Sequence, residues 1–171
     1  IFALANPTPE ILPDAAREVA PDAIIATGRS DFPNQVNNVL CFPFIFRGAL
    51  DVGATEINDA MEIACIEGIA ELARQTTSAE AAAAYQGERL TFGRDYLIPK
   101  PFDPRLSGVV STAVAKAAME TGVAMRPLED LDAYRRRLDA SVYRSALLMR
   151  PVFEAAATAR RRIVFGEGED E

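Results

Sequence analysis

The chain has 171 residues, 49% of them apolar, with 18 basic and 25 acidic side chains for a net charge of −7. This length fits one ordinary domain or a little more, with enough apolar mass for a sizeable core and no segment biased toward disorder. The acidic balance excludes an electrostatic footprint for nucleic acid or anionic lipid, and the absence of histidine removes Ser-His-Asp and Cys-His catalysis and histidine-liganded metal sites.

The two cysteines, Cys41 and Cys65, stand in apolar surroundings at a spacing that fits neither zinc nor a disulfide framework. They read as reduced core residues, the state expected of a cytoplasmic protein. No signal peptide or long uninterrupted apolar span occurs, so no membrane association is expected. The chain opens on "IFALAN" and closes on "RRIVFGEGEDE". Both ends are strand-like, which leads us to expect a piece of a longer protein.

In chain order, "IFALAN" reads as a short buried strand that stops at Asn6-Pro7. "TPEILPDAAREVAPD" holds a short helix, and residues 23–27 form a second buried strand ended by Gly28. Strand, helix, strand is a parallel crossover unit, whose ligands bind beyond the carboxyl ends of the strands. Asn6 and residues 28–38 therefore fall on the same sheet edge. From Asn37 to Val52 the pattern is apolar with Pro43 inside it, so a kinked or two-part helix is expected.

Thr55 is the expected cap of the next helix, "EINDAMEIACIEGIAELARQ". Its apolar arc, through Ile57, Met61, Cys65, Gly68 and Leu72 and flanked by Ile66 and Ile69, is wide enough to predict near-complete burial, including burial under a partner subunit. An alanine-rich helix capped by Ser78 and a proline-punctuated connection, "IPKPFDPRL", follow. "VVSTAVAKAAMETG" is a helix stopped by Gly122. Two more helices, the second kinked at Pro151, lead to a terminal strand "RRIVF". The first 75 residues are thus α/β, and most of the rest is helical.

Taken alone, Asn-Pro after a strand reads as a turn, and so does the Asn37-Asn38 pair. Their convergence on one sheet edge favours a site, because neutral amide donors aimed at one cavity suit a small carboxylate or a carboxamide ring. "FGEGEDE" lacks the spacing of a calcium loop and reads as a solvated turn. Arg160, Arg161 and Arg162 read as a solvated helix end. No glycine-rich nucleotide fingerprint occurs. The residues alone reach an α/β ligand-binding enzyme with its site at the strand ends, and no reaction.

"IFALANPTPEI" followed by "ATGRSDFPNQVNNVLCFPFIFRGALDV" resembles the cofactor-binding domain of the malic enzymes, closest to the bacterial NADP-dependent type with a phosphate-acetyltransferase-like region at its C-terminus. "YLIPKPFDPRL" and "VAKAAMETGVA" look like the end of the malic enzyme part, and "RRIVFGEGEDE" looks like the junction into the acetyltransferase-like region, with Gly166 where a proline is usual. The resemblance implies an incomplete Rossmann-like parallel sheet and a helical segment. It divides the chain into residues 1–76 of the NAD(P)-binding domain, a connection at 77–106, a helical segment at 107–160 and the start of the acetyltransferase-like region at 161–171.

It also implies oxidative decarboxylation of L-malate to pyruvate and carbon dioxide, with NADP or NAD and Mg2+ or Mn2+. By position, Asn38, Asn37 and Asn6 match residues beside the malate carboxylate and the nicotinamide. The tyrosine acid, the lysine base, the metal ligands and the glycine-rich turn would all lie upstream of Ile1. No catalytic residue is therefore assigned within this segment. Lys100 and Lys116 match no catalytic position and read as surface residues, and neither Tyr85, Tyr96, Tyr134 nor Tyr143 sits in the acid's motif. The segment alone is expected not to turn over malate. The implied partners are malate and pyruvate, the remaining regions of the same protein and further copies of it. A second reading makes the piece a structural or oligomerisation module that couples a dehydrogenase to an acetyltransferase-like regulatory region. A third, an acetyltransferase-like enzyme, rests on the final dozen residues alone.

Overall fold

The computed structural model describes residues 1–76 and 90–142. The alanine-rich helix expected after Ser78, the helix around Pro151 and the terminal strand lie outside the described residues.

Strand β1 (Phe2–Ala3) runs parallel to β2 (Ala26–Thr27), with Phe2 opposite Ala26 and Ala3 opposite Thr27. Helix α1 (Pro13–Val19) makes the crossover, with proline at its start, where the missing N–H costs nothing. β2 is shorter than the expected strand at 23–27 because the preceding carbonyls are taken by other donors. The Arg94 guanidinium donates to the carbonyls of Pro21 and Ala23, the Ile1 nitrogen to that of Ile24, and the Asn34 amide to that of Ile25. These groups are satisfied without a ladder, as buried backbone requires.

Beyond the sheet, a 3-10 turn (Asn38–Leu40) leads into α2 (Phe42–Asp51). This is the expected two-part helix, and Pro43 falls in the first turn of its second part. Helix α3 (Asp59–Arg74) is capped by Asn58, whose Oδ1 accepts from the Met61 N–H at 3.1 Å. Thr55 does not cap it. The Thr55 N–H is drawn instead to the Val123 carbonyl, beside an antiparallel bridge between Ala54 and Ala124. That pairing holds the chain extended and delays the helix by three residues.

Helix α4 (Arg105–Glu120) packs against both α2 and α3. Asp103 sets its start, accepting from the Arg105 N–H at 3.0 Å, and Gly122 follows its end with φ 76°. Met61, Leu72, Leu106, Val110, Val114 and Ala118 have no exposed surface and make up the centre of the core. Burying each large apolar side chain there contributes about 1.5–3 kcal/mol. Residues 131–142 are also helical, and Tyr134 inserts from them into this core. Its hydroxyl donates to Asp51 at 2.7 Å, and Asp51 is held from the other side by Arg47 at 2.6 Å.

Within this chain α3 buries only one face, so packing inside the chain does not by itself supply the near-complete burial expected. Ile63 and Ile66 stay 54% and 65% exposed, because α2 and α4 both lie on the side of Met61, Cys65 and Gly68.

Candidate functional site

The carboxyl ends of β1 and β2 open onto a cleft of about 530 Å3 lined by Asn6, Pro7, Gly28, Arg29, Ser30, Asp31, Gln35 and Asn37. Parallel pairing explains the location, since both strands end at the same edge and both following loops meet there.

Asn6 enters from the loop after β1, just before the cis Asn6-Pro7 bond. That loop is tied by Glu10, whose carboxylate accepts from the Ala5 N–H at 3.1 Å. Backbone N–H groups of Glu10 itself and of Ala5 hold this carboxyl below its ordinary pKa.

The loop after β2 supplies the other wall. The Val36 N–H donates to the Thr27 carbonyl at 2.8 Å, and Gln35 Nε2 donates to the Gly28 carbonyl at 3.3 Å, so residues 28–35 form a closed ring. Within it Arg29 forks onto Asp31 at 2.8 and 2.6 Å and lies over the Phe32 ring. The Arg29 hydrogen bond lowers the Asp31 pKa, and Asp31 raises that of Arg29. The pair is self-neutralising, so the cleft carries polar groups without a net side-chain charge from Arg29 and Asp31.

Asn37 lines the cleft and also caps the 3-10 turn, its Oδ1 accepting from the Val39 N–H at 3.0 Å. No hydrogen bond from its Nδ2 occurs among the described residues. Asn38 is the exposed first residue of that turn and does not line the cleft. Two of the three asparagines singled out from the sequence thus share one hollow, and the third stands beside it.

Sequence reasoning passed over Arg29, Asp31, Gln35 and above all Asn34. Asn34 is 5% exposed and adopts φ 54°. Pro-Asn-Gln is a turn signal, and asparagine tolerates the left-handed region, so a clue was present in "FPNQ".

A parallel crossover with a polar cleft past its strand ends defines an α/β segment. No family model matches the chain. It is 61% identical over 170 residues to the NADP-dependent malic enzyme of Escherichia coli (strain K12), a match covering 99% of this chain and 22% of that protein. It is also 61% identical over 172 residues to the NAD-dependent malic enzyme of Rhizobium meliloti (strain 1021), covering 100% of this chain and 22% of that protein. The crystal structure of malic enzyme from Pyrococcus horikoshii Ot3 superposes with a TM-score of 0.66 at 36% identity, over 93% of this chain and 32% of the other. The chain is homologous to the malic enzymes over nearly its whole length, and it spans 22% of the length of these two curated relatives.

Proposed function

We propose that this chain is a segment of a malic enzyme that oxidatively decarboxylates L-malate to pyruvate and carbon dioxide with NAD(P) and a divalent metal. The observation that carries the reading is the 61% identity to two malic enzymes over almost every residue. The cleft supports it chemically. Neutral amides from Asn6 and Asn37 donate hydrogen bonds to carboxylate oxygens or to a nicotinamide carboxamide without bringing in a mobile charge.

In this reading Asn37 and Asn6 hold the substrate and the nicotinamide end of the cofactor, with Asn38 completing the wall from the rim. When bound, NAD(P)+ accepts the hydride from the hydroxyl-bearing carbon of malate. What this segment contributes is orientation: the ring of residues 28–35 and the capped 3-10 turn hold the amides still before the ligand arrives. Among the described residues no three acidic or cysteine groups gather into a metal-holding cluster. No step through the metal is assigned to the described residues. In this reading no proton-transfer role is assigned to a residue of this chain.

The reading extends to a cytoplasmic homo-oligomer. Among the described residues no helix is long and apolar enough to cross a membrane. The exposed Phe42 and Phe46 of α2, and Ile63 and Ile66 of α3, favour the accompanying assembly role.

The test uses the full-length protein that contains this chain. With malate, a divalent metal and either nucleotide, absorbance at the reduced-nicotinamide band is expected to rise in step with pyruvate. Absence of reduction with both NAD and NADP would overturn the reading.

A further inference from the structure

Asn34 is a buried polar side chain beside the cleft whose amide hydrogens and oxygen are all engaged. Its Nδ2 donates to the Ile25 carbonyl at 3.1 Å and to the Arg94 carbonyl at 2.8 Å, and its Oδ1 accepts from the Leu97 N–H at 2.8 Å. One carboxamide thus binds β2's approach on one side and a segment 60 residues further along on the other. Both donor hydrogens are used, so neither Asp nor Ser can reproduce the set.

The segment at 93–98 is itself anchored. Gly93 and Tyr96 form a bridge, the Arg94 guanidinium grips the Pro21 and Ala23 carbonyls, and Asp95 pairs with Arg17 of α1 at 2.9 Å. Asn34 therefore ties the ring that carries Arg29 and Gln35, and that leads directly into Asn37, to a base fastened at several points.

We infer that Asn34 is a positioning residue of the cleft: without touching the ligand, its buried carboxamide sets the place of the Gln35 and Asn37 amides. This deepens the malic enzyme reading and rests on it for the identity of the ligand. The left-handed backbone at 34 puts the side chain inward while the next residues turn back along β2. A loose ring would present the same amides at scattered positions and lose binding rather than chemistry.

The experiment compares Asn34→Asp with the wild type in the full-length protein. A protonated carboxyl keeps a carbonyl for the Leu97 N–H and one O–H donor. An ionised one sets a buried charge against the Ile25 and Arg94 carbonyls. Among the described residues no cationic side chain bonds to the Asn34 carboxamide: the Arg94 guanidinium holds the Pro21 and Ala23 carbonyls, Arg29 is paired with Asp31, and Asp95 with Arg17. Burial without a cationic partner raises the new carboxyl's pKa, so correct positioning holds at low pH and is lost as pH rises.

The expected result is a KM for malate or nucleotide about tenfold above wild type near pH 8.5, returning toward it near pH 6, with kcat changed less. A variant that merely unfolds in part would lower the active fraction and leave KM unchanged, and that result overturns the inference. If Asn34→Asp does not fold, Asn34→Gly, which keeps the backbone conformation, is expected to show the same rise in KM without the pH dependence. Hydrogen exchange at the Val36 and Val39 N–H groups separates this inference from the reading of function. In either variant exchange there should quicken by about tenfold or more, even in a protein that does not oxidise malate, whereas unchanged exchange rejects the positioning role.

Discussion

In the proposed function Asn37 does two jobs with the two ends of one amide. Its oxygen caps the 3-10 turn, and its nitrogen is left to the cleft. Asn37→Asp preserves the acceptor and deletes the donor, so it separates the jobs. The expected outcome is an unchanged melting temperature and a KM raised about ten- to a hundredfold in the full-length protein, the worth of a hydrogen bond of about 1.5–3 kcal/mol to a charged ligand. Asn38→Ala is measured alongside, with a rise in KM or a fall in turnover expected if it completes the wall. Wild-type kinetics in that variant would leave Asn38 as a turn residue only. Its neighbour four places back, Asn34, carries more of the local structure than either, yet nothing in its sequence context names the carbonyls it meets.

Packing between elements turns on two helical glycines that answer differently to the same change. A Cβ at Gly48 of α2 would lie 2.5 Å from the Ser111 carbonyl oxygen and 2.9 Å from Val114 Cβ, so α2 and α4 would have to part. Gly48→Ala is expected to lower stability by about 1–3 kcal/mol, read as a fall in denaturation midpoint. At Gly68 of α3 the nearest atoms stand at 3.7 Å. There Gly68→Ala is expected to be neutral or to stabilise by up to about 1 kcal/mol through helix propensity. Equal effects at the two positions would refute the close α2–α4 approach. Helix α3 also shows how far local signals reach. Its periodicity was legible, whereas its cap moved from Thr55 to Asn58 because residues near Val123 captured the intervening backbone.

Across the whole molecule, the two thiols report on the integrity of the core. Cys65 is buried on α3 and Cys41 is half-buried at the start of α2. Burial, then hydrogen bonding with Cys41, pushes the Cys65 thiol up to about 12 from an ordinary value of 9.0. A raised thiol pKa gives stability that is whole below the unfolded value and is lost as pH climbs from there toward the folded one. Melting temperature should therefore fall across that alkaline window, less steeply in Cys65→Ala. An alkylating reagent near neutral pH should modify Cys41 in the native protein and reach Cys65 only after denaturant is added. Mass spectrometry would show one adduct and then two, and equal labelling rates would contradict the packing of α3 against α2.

The sequence by itself determined the parallel crossover, the shared edge of the Asn6 and Asn37 loops, the break before Pro43 and the stop at Gly122. Each follows from interactions a few residues long: apolar periodicity, proline's missing donor and glycine's left-handed backbone. Only the tertiary structure decided which carbonyls Asn34 and Arg94 would claim, how short β2 would be, and that α3 would leave Ile63 and Ile66 uncovered. Those outcomes depend on donors and surfaces brought from as far as 73 residues away, and no local pattern encodes a partner that distant.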